Sequence, residues 1–147
     1  MNDRFALRFV LADGRPTLEQ VQSLWPDGPA VHRQDDGVLQ LRDDERVWAR
    51  VDLLGTDDAR GKAILQALER TARQHGTGEA LESVLFVLDA ASAVVIAMPE
   101  ASNDAELEQA MEPLDQLWEF LFEEFGGVLQ VDGEGIHGEE GALIAVA

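Results

Sequence analysis

The chain of 147 residues contains no cysteine and no tyrosine. The lack of cysteine excludes disulfides, thiolate metal ligands and thiol nucleophiles, and it fits a reducing compartment. No apolar run approaches the ~18 residues that a membrane-spanning helix needs. The first residues, MNDRF, also lack the basic start and apolar stretch of a signal peptide. These absences predict a cytoplasmic protein that does not enter a membrane.

Basic residues are missing from the second half of the chain. All 11 lysines and arginines lie in residues 1–73, whereas residues 74–147 contain acids and no lysine or arginine. The acids of the second half therefore have no cation of their own half to pair with. A one-sided charge repels nucleic acid and anionic lipid and attracts basic surfaces. We expect a basic protein partner, with solubility alone as the alternative explanation of the charge.

Hydrophobic alternation and helical spacing predict ten secondary-structure elements within one domain, residues 1–147. Three helices are predicted: one after the capping box of Thr17 and Gln20, one from Thr56 or Asp57 to about His75, and one from Asn103 to about Phe125. Strands are predicted at residues 5–11, 38–42, 46–54, 84–89, 93–98, 128–131 and 142–146, with turns at 26–29, 43–45 and 90–92. The order β-α-β-β-α-β-β-α-β-β predicts an α+β fold with a largely antiparallel sheet. Whether the strands form one sheet or two stays open.

The third predicted helix carries two stripes. Its core-facing stripe is predicted to be Leu107, Met111, Leu114, Trp118, Leu121 and Phe125, continuing in phase across Pro113. A second stripe consists entirely of acids: Glu108, Glu112, Asp115, Glu119 and Glu123. Neighbouring like charges on a helix cost ~0.2–0.5 kcal/mol per pair, and a solvated helix normally mixes its signs. The acidic stripe therefore favours recognition of a partner over plain solvation. Phe120 lies off the core stripe, and burial is its favoured interpretation over an exposed anchor.

The stretch QVDGEGIHGEEG, residues 130–141, combines acids, a histidine and glycines, the residue types of metal and catalytic loops. A calcium loop needs oxygen ligands where Ile136 and His137 stand. A zinc deaminase would use His137 and Glu139 as H-x-E, but it also needs a C-x-x-C motif. We therefore predict a glycine-rich connection of about ten residues between two strands. Its four acids, Asp132, Glu134, Glu139 and Glu140, are available for contact with a partner.

Other catalytic motifs also fail. Residues 55–63, GTDDARGKA, lie between a strand and a helix as a P-loop does, but the glycine spacing is one residue too long and Ala63 replaces the Ser or Thr. The serines form no G-x-S-x-G elbow, and the three histidines are scattered. We predict no catalytic, metal-binding or cofactor-binding residue. An enzyme using scattered carboxylates is kept as a third alternative.

The small size, the lack of cysteine, the acidity and the segment GVLQVDGEG, residues 127–135, resemble the immunity proteins with which bacteria neutralise their own secreted antibacterial toxins. The resemblance implies a cytoplasmic protein that blocks the active site of one cognate toxin, which is basic where it acts on nucleic acids. It transfers no residue role. The charge pattern alone predicts the contact residues: Glu108, Glu112, Asp115, Glu119, Glu123, Asp132, Glu134, Glu139 and Glu140. The alternative is an acidic secretion chaperone, and both a monomer and a homodimer remain open.

Overall fold

The computed structural model describes residues 5–26, 30–34, 38–43 and 46–146. Its elements in chain order are β1 (Leu7–Leu11), α1 (Leu18–Gln22), β2 (Ala30–Arg33), β3 (Leu39–Arg42), β4 (Val47–Gly55), α2 (Ala59–His75), α3 (Gly78–Asp89), β5 (Ala93–Pro99), α4 (Asp104–Glu124), β6 (Gly127–Val131), β7 (Gly135–Gly138) and β8 (Gly141–Ala145). The fold is α+β with a large antiparallel sheet, as the sequence predicts.

All eight strands of the described residues belong to one sheet, in the order β2-β3-β4-β5-β1-β6-β7-β8. Every pairing is antiparallel. β1 lies inside the sheet, where Phe9 is opposite Val95 of β5 and Leu129 of β6. At the start of β6, a Cβ on Gly127 would lie 1.9 Å from the carbonyl oxygen of Val10. Because Gly127 also has a φ of 142°, only glycine lets the two strands approach here.

Helices cover both faces of the sheet. Phe9 points to one face, where it packs with Trp118 and Leu121 of α4 and with Val21 of α1. Val10 points to the opposite face, where it packs with residues of α2 and α3. This alternation along β1 divides the core into two apolar clusters, one on each side of the sheet. The α4 layer and the α2–α3 layer are therefore separated by the whole thickness of the sheet.

The prediction of a strand at residues 84–89 is wrong, because these residues form the second half of α3. Val84 and Leu88, four residues apart, are buried, and Phe86 between them is exposed. That is the periodicity of a helix with one face on the core. The predicted hairpin from residue 84 to residue 98 is therefore also wrong, and the structure has four helices among its described residues where three were expected.

The C-terminal region also differs from the prediction. Residues 132–140 are not one connection, because β7 lies within them and pairs with both β6 and β8. β2 is a further strand that was not predicted. α2 begins after Asp58, slightly later than the predicted cap at Thr56 or Asp57. Parts of the predicted turns, residues 27–29 and 44–45, lie outside the described residues. Within the described part of the chain, no helix combines the length and apolar character needed to cross a membrane.

Candidate functional site

The helix α4 carries the predicted acidic stripe, and its N-terminus is capped as the sequence predicts. Asn103 Oδ1 accepts a hydrogen bond from the backbone N–H of Glu106 at 2.8 Å. Glu106 Oε1 accepts one in return from the N–H of Ser102, also at 2.8 Å. These bonds satisfy free N–H groups at the helix start, and the carboxylate of Glu106 suits the positive end of the helix dipole. The start of α4 is therefore well defined.

The inner face of α4 anchors the helix to the sheet. Of the predicted core stripe, Leu114, Trp118 and Leu121 are buried, whereas Leu107, Met111 and Phe125 are half-buried. Ala110, Pro113 and Leu117 are buried as well, which widens the predicted stripe. Phe120 is half-buried and lies edge-on to Phe125, with 5.8 Å between the ring centroids. The favoured interpretation of Phe120 as a packed residue thus agrees with its contacts.

Pro113 lies within α4 without ending the helix. A proline has no N–H to donate, so the helix loses one backbone hydrogen bond at this position. The carbonyl oxygen of Pro113 accepts a hydrogen bond from the indole Nε1 of Trp25 at 3.0 Å, and this bond is buried. Trp25, which follows α1, therefore connects α1 to the middle of α4, on the face of the sheet that both helices cover.

The outer face of α4 exposes all five acids of the stripe: Glu108, Glu112, Asp115, Glu119 and Glu123. The one ion pair that α4 makes among the described residues is at its first turn, between Arg46 and Glu106 at 3.3 Å. No lysine or arginine of residues 5–26, 30–34, 38–43 or 46–146 pairs with an acid of the stripe. The stripe is therefore an acidic surface without counter-charge in the described structure.

The pKa of Asp115, at the centre of the stripe, is shifted by its surroundings. Partial burial raises the pKa of Asp115 above its ordinary value, and the neighbouring charges of Glu119 and Glu112 raise it further. Both causes disfavour the ionised form, because the carboxylate loses water and gains like charges at helical spacing. A basic group placed against the stripe would reverse the second effect.

Asp132 has a different environment from the acids of α4. Its Oδ1 lies 2.7 Å from Arg8 Nη1 and accepts a hydrogen bond from Gln130 Nε2 at 2.9 Å. Its Oδ2 accepts a bond from the backbone N–H of Ala6 at 3.0 Å. Burial raises the pKa of Asp132, but the hydrogen bonds from Gln130 and Arg8 and the charge of Arg8 outweigh burial and lower the pKa. Asp132 thus joins the start of β1 to the end of β6.

The remaining predicted acids lie in two separate turns. Glu134 precedes β7, and its Oε1 is 3.5 Å from His137 Nε2. Glu139 and Glu140 follow β7 and are exposed. Since a strand rises ~3.3 Å per residue, the four residues of β7 hold the two turns ~13 Å apart. The structure therefore gathers the five acids of α4 on one helix face, but it distributes the four other acids over both ends of β7.

A cavity of about 250 Å³ lies between α1, α4 and the neighbouring strands. Its walls are largely apolar and include Leu18, Val21, Leu39, Val51, Val95 and Leu117. The polar lining residues are Thr17, whose hydroxyl accepts a bond from the N–H of Gln20, and Arg33. Among the described residues, this lining contains no acid and no histidine, so these walls suit an apolar group better than acid–base chemistry. The sequence did not predict this cavity, because its walls come from six separate elements.

The described residues offer neither a metal site nor a phosphate site at the start of α2. The described residues include no group of three or more His, Asp or Glu side chains that could hold a metal ion. At residues 55–63, Asp58 caps α2 by accepting a bond from the N–H of Arg60 at 2.7 Å. The helix start that a phosphate would need is therefore already occupied by a carboxylate.

Two features of the surface were missed by the sequence analysis. Phe86 on α3 is 73% exposed. The incorrect prediction of a strand at residues 84–89 gave no indication that this side chain faces solvent. The ion pair of Arg8 with Asp132 joins residues 124 positions apart, which no local pattern reveals.

Comparisons of the chain with known protein families, with curated protein sequences and with solved structures gave no match.

Proposed function

We propose that this protein is a cytoplasmic immunity protein that binds a cognate secreted antibacterial toxin and blocks its active site. The supporting observation is the outer face of α4, where five exposed acids have no counter-charge among the described residues. A toxin domain that acts on a nucleic acid carries a basic cleft, and the acids of α4 present a polyanion to it. Occlusion of the cleft needs no catalytic group in the inhibitor.

The centre of the proposed interface is Glu112, Asp115 and Glu119. These three acids are exposed, and the pKa of Asp115 is raised by partial burial and then by the charges of Glu119 and Glu112. Opposing basic groups would relieve this repulsion, so association should be fast and sensitive to salt. Glu108 and Glu123 extend the surface along the helix. Glu134, Glu139 and Glu140 are proposed only as peripheral contacts, whereas the contacts of Asp132 with Arg8 and Gln130 support a role within the fold.

The first experiment captures partners from a lysate of the source organism with the protein as bait, followed by low-salt and high-salt washes and mass spectrometry. We expect a basic catalytic domain that is retained at low salt and lost at high salt. Capture of an exported, non-catalytic client alone would favour the secretion chaperone instead. Absence of any bound protein would contradict the proposed function.

Two bait variants show whether the outer face of α4 is the contact. The triple substitution Glu112→Lys, Asp115→Lys and Glu119→Lys should abolish retention of the basic domain. The matched control, Glu79→Lys, Glu82→Lys and Asp89→Lys, changes the net charge equally on the opposite side of the sheet and should retain the partner. Equal loss with both variants would show that total charge, rather than α4, governs binding.

A further inference from the structure

The helix α3 presents an apolar side chain to solvent on the side of the molecule opposite α4. Phe86 is 73% exposed and is the one large apolar side chain so exposed among the described residues. It lies between Glu82 and Asp89 on the outer face of α3, with Glu79 one further turn away. The buried face of the same helix carries Val84 and Leu88. Phe86 is therefore an isolated apolar group surrounded by acids.

The neighbouring helix α2 presents the opposite charge. Lys62, Arg70 and Arg73 are exposed on its outer face, and Glu69 pairs with Arg73 at 3.0 Å. In the part of the chain that the structure describes, no ion pair joins α2 to α3. The two helices thus form one surface with a basic half and an acidic half, which we call the α2–α3 surface. Its residues are Lys62, Gln66, Glu69, Arg70 and Arg73 of α2 and Glu79, Glu82, Phe86 and Asp89 of α3.

The two helices run antiparallel, which aligns their charges. α2 contacts β4 and β8, whereas α3 contacts β8 and also β6 and β1. Since residues 76 and 77 alone connect them, α3 returns across the sheet beside α2. Residues equally distant from this connection lie level with each other. Arg73, Arg70 and Gln66 therefore lie within one residue, ~1.5 Å, of the levels of Glu79, Glu82 and Phe86, respectively.

We propose that the α2–α3 surface is the interface of a two-fold symmetric homodimer. The two-fold axis lies in the interface and runs parallel to the helices. Rotation about it places α2 of one copy over α3 of the other, and each residue keeps its height along the helix axis. Arg73 then faces the partner's Glu79, and Arg70 faces the partner's Glu82. Phe86 lies over the aliphatic part of the partner's Gln66 and is removed from water. Each contact occurs twice in the dimer.

The size of the surface predicts a weak dimer. α3 has 12 residues and is ~18 Å long, and two adjacent helices are ~20 Å wide. The interface would bury ~700 Å² in total, below the ~1,200 Å² typical of stable complexes.

Repulsion between the acidic stripes does not prevent association. The stripes lie on the outer sides, ~20 Å from the interface and beyond the ~8 Å screening length at physiological salt. Each copy therefore keeps α4 free for a partner.

Sedimentation equilibrium of the purified chain over a wide concentration range tests the dimer. The wild type should show a reversible monomer–dimer equilibrium, and Phe86→Ser should weaken it about tenfold or more, because the central contact is lost in both copies. Neutralising the stripe with Glu112→Gln, Asp115→Asn and Glu119→Gln should change dimerisation less than about twofold. A wild type that stays monomeric at the highest concentration would overturn the proposal, as would a dimer insensitive to Phe86→Ser.

Charge reversal in trans distinguishes this interface from effects within one copy. Arg70→Glu and Glu82→Arg should each weaken self-association, because each places like charges opposite one another. An equimolar mixture of the two variants should restore dimers, since Glu at position 70 of one copy then faces Arg at position 82 of the other. Circular dichroism should show both variants folded, as both positions are exposed. A mixture no more dimeric than the separate variants would overturn the proposed arrangement.

Discussion

Acidic residues have opposite surroundings in the sheet and on α4. In the strands and at their ends, Asp132 pairs with Arg8, Asp52 with Arg60 at 3.1 Å, and Glu100 with Arg50 at 2.9 Å. On the outer face of α4, no acid of the stripe has such a partner among the described residues. The same residue types therefore join distant segments in one region and accumulate repulsion in the other.

This difference indicates which acids the fold uses. The pKa of Asp132 is lowered by its bonds to Gln130 and Arg8, which outweigh burial, so its charge stabilises the folded state. The pKa of Asp115 is raised by burial and by Glu119 and Glu112, so its charge destabilises the folded state. The fold therefore gains nothing from the charge of Asp115, and the proposed partner surface gives that charge a role outside the fold.

Removal of Asp132 should have the largest effect on stability. Asp132→Ala should lower the free energy of unfolding by ~1–2 kcal/mol, because it removes hydrogen bonds to the Arg8 guanidinium, Gln130 and the backbone of Ala6. The side chains of Arg8 and Asp132 are 29% and 34% exposed, which keeps the loss below that of a buried pair. Urea denaturation measures the change. An unchanged midpoint would show that this ion pair contributes nothing to the fold.

The contributions of Asp132 and Asp115 to the free energy of unfolding should depend on pH with opposite signs. Because folding lowers the pKa of Asp132, its contribution is present above the unfolded-state pKa of ~3.9 and is lost as pH falls through the folded-state pKa. Because folding raises the pKa of Asp115, its destabilisation is present above the folded-state pKa and vanishes below ~3.9.

Urea denaturation between neutral pH and pH ~3 tests these signs with matched amide variants. Asp132→Asn should be less stable than the wild type at neutral pH, and Asp115→Asn should be more stable. Both differences should shrink as the solution is acidified. If both variants were more stable, or both less stable, than the wild type at neutral pH, the proposed difference between Asp132 and the acids of α4 would be wrong.

A smaller effect is expected from neutralising the centre of the stripe. The triple variant Glu112→Gln, Asp115→Asn and Glu119→Gln should gain ~0.5–1 kcal/mol of stability at low salt, since it removes like-charge pairs at helical spacing. Salt should reduce the gain by screening the wild-type repulsion. The control Glu139→Gln and Glu140→Gln, in the exposed turn after β7, should change stability by less than ~0.5 kcal/mol. A destabilised triple variant would show that the stripe supports the fold.

Local patterns predicted α4 and the antiparallel sheet but not α3. The run VLFVLD at residues 84–89 is short and apolar, and such a run suits a buried strand or a buried helix equally. The deciding signal was the spacing of Glu79, Glu82, Phe86 and Asp89, which places three acids and one aromatic residue on a single helix face. Reading that spacing would have identified both the helix and its exposed phenylalanine.

The arrangement of the strands depends on contacts between residues distant in sequence. β7 has four residues and contains Ile136 as its one fully buried large side chain, so alternation is too short to reveal it. The position of β1 between β5 and β6 requires pairings across most of the chain. For the same reason, the sequence predicted the exposed acids of α4 from one helix but could not assign Asp132 to Arg8.

The central claim is that the outer face of α4 binds a basic partner. The most direct measurement is the association rate constant with the captured partner domain at increasing salt, for the wild type, the neutralised α4 triple variant and a matched control on α3, Glu79→Gln, Glu82→Gln and Asp89→Asn. We predict that the wild type and the control lose rate steeply with salt, while the triple variant starts at least about tenfold slower and depends less on salt. Equal rates and equal salt dependence for all three proteins would contradict the claim.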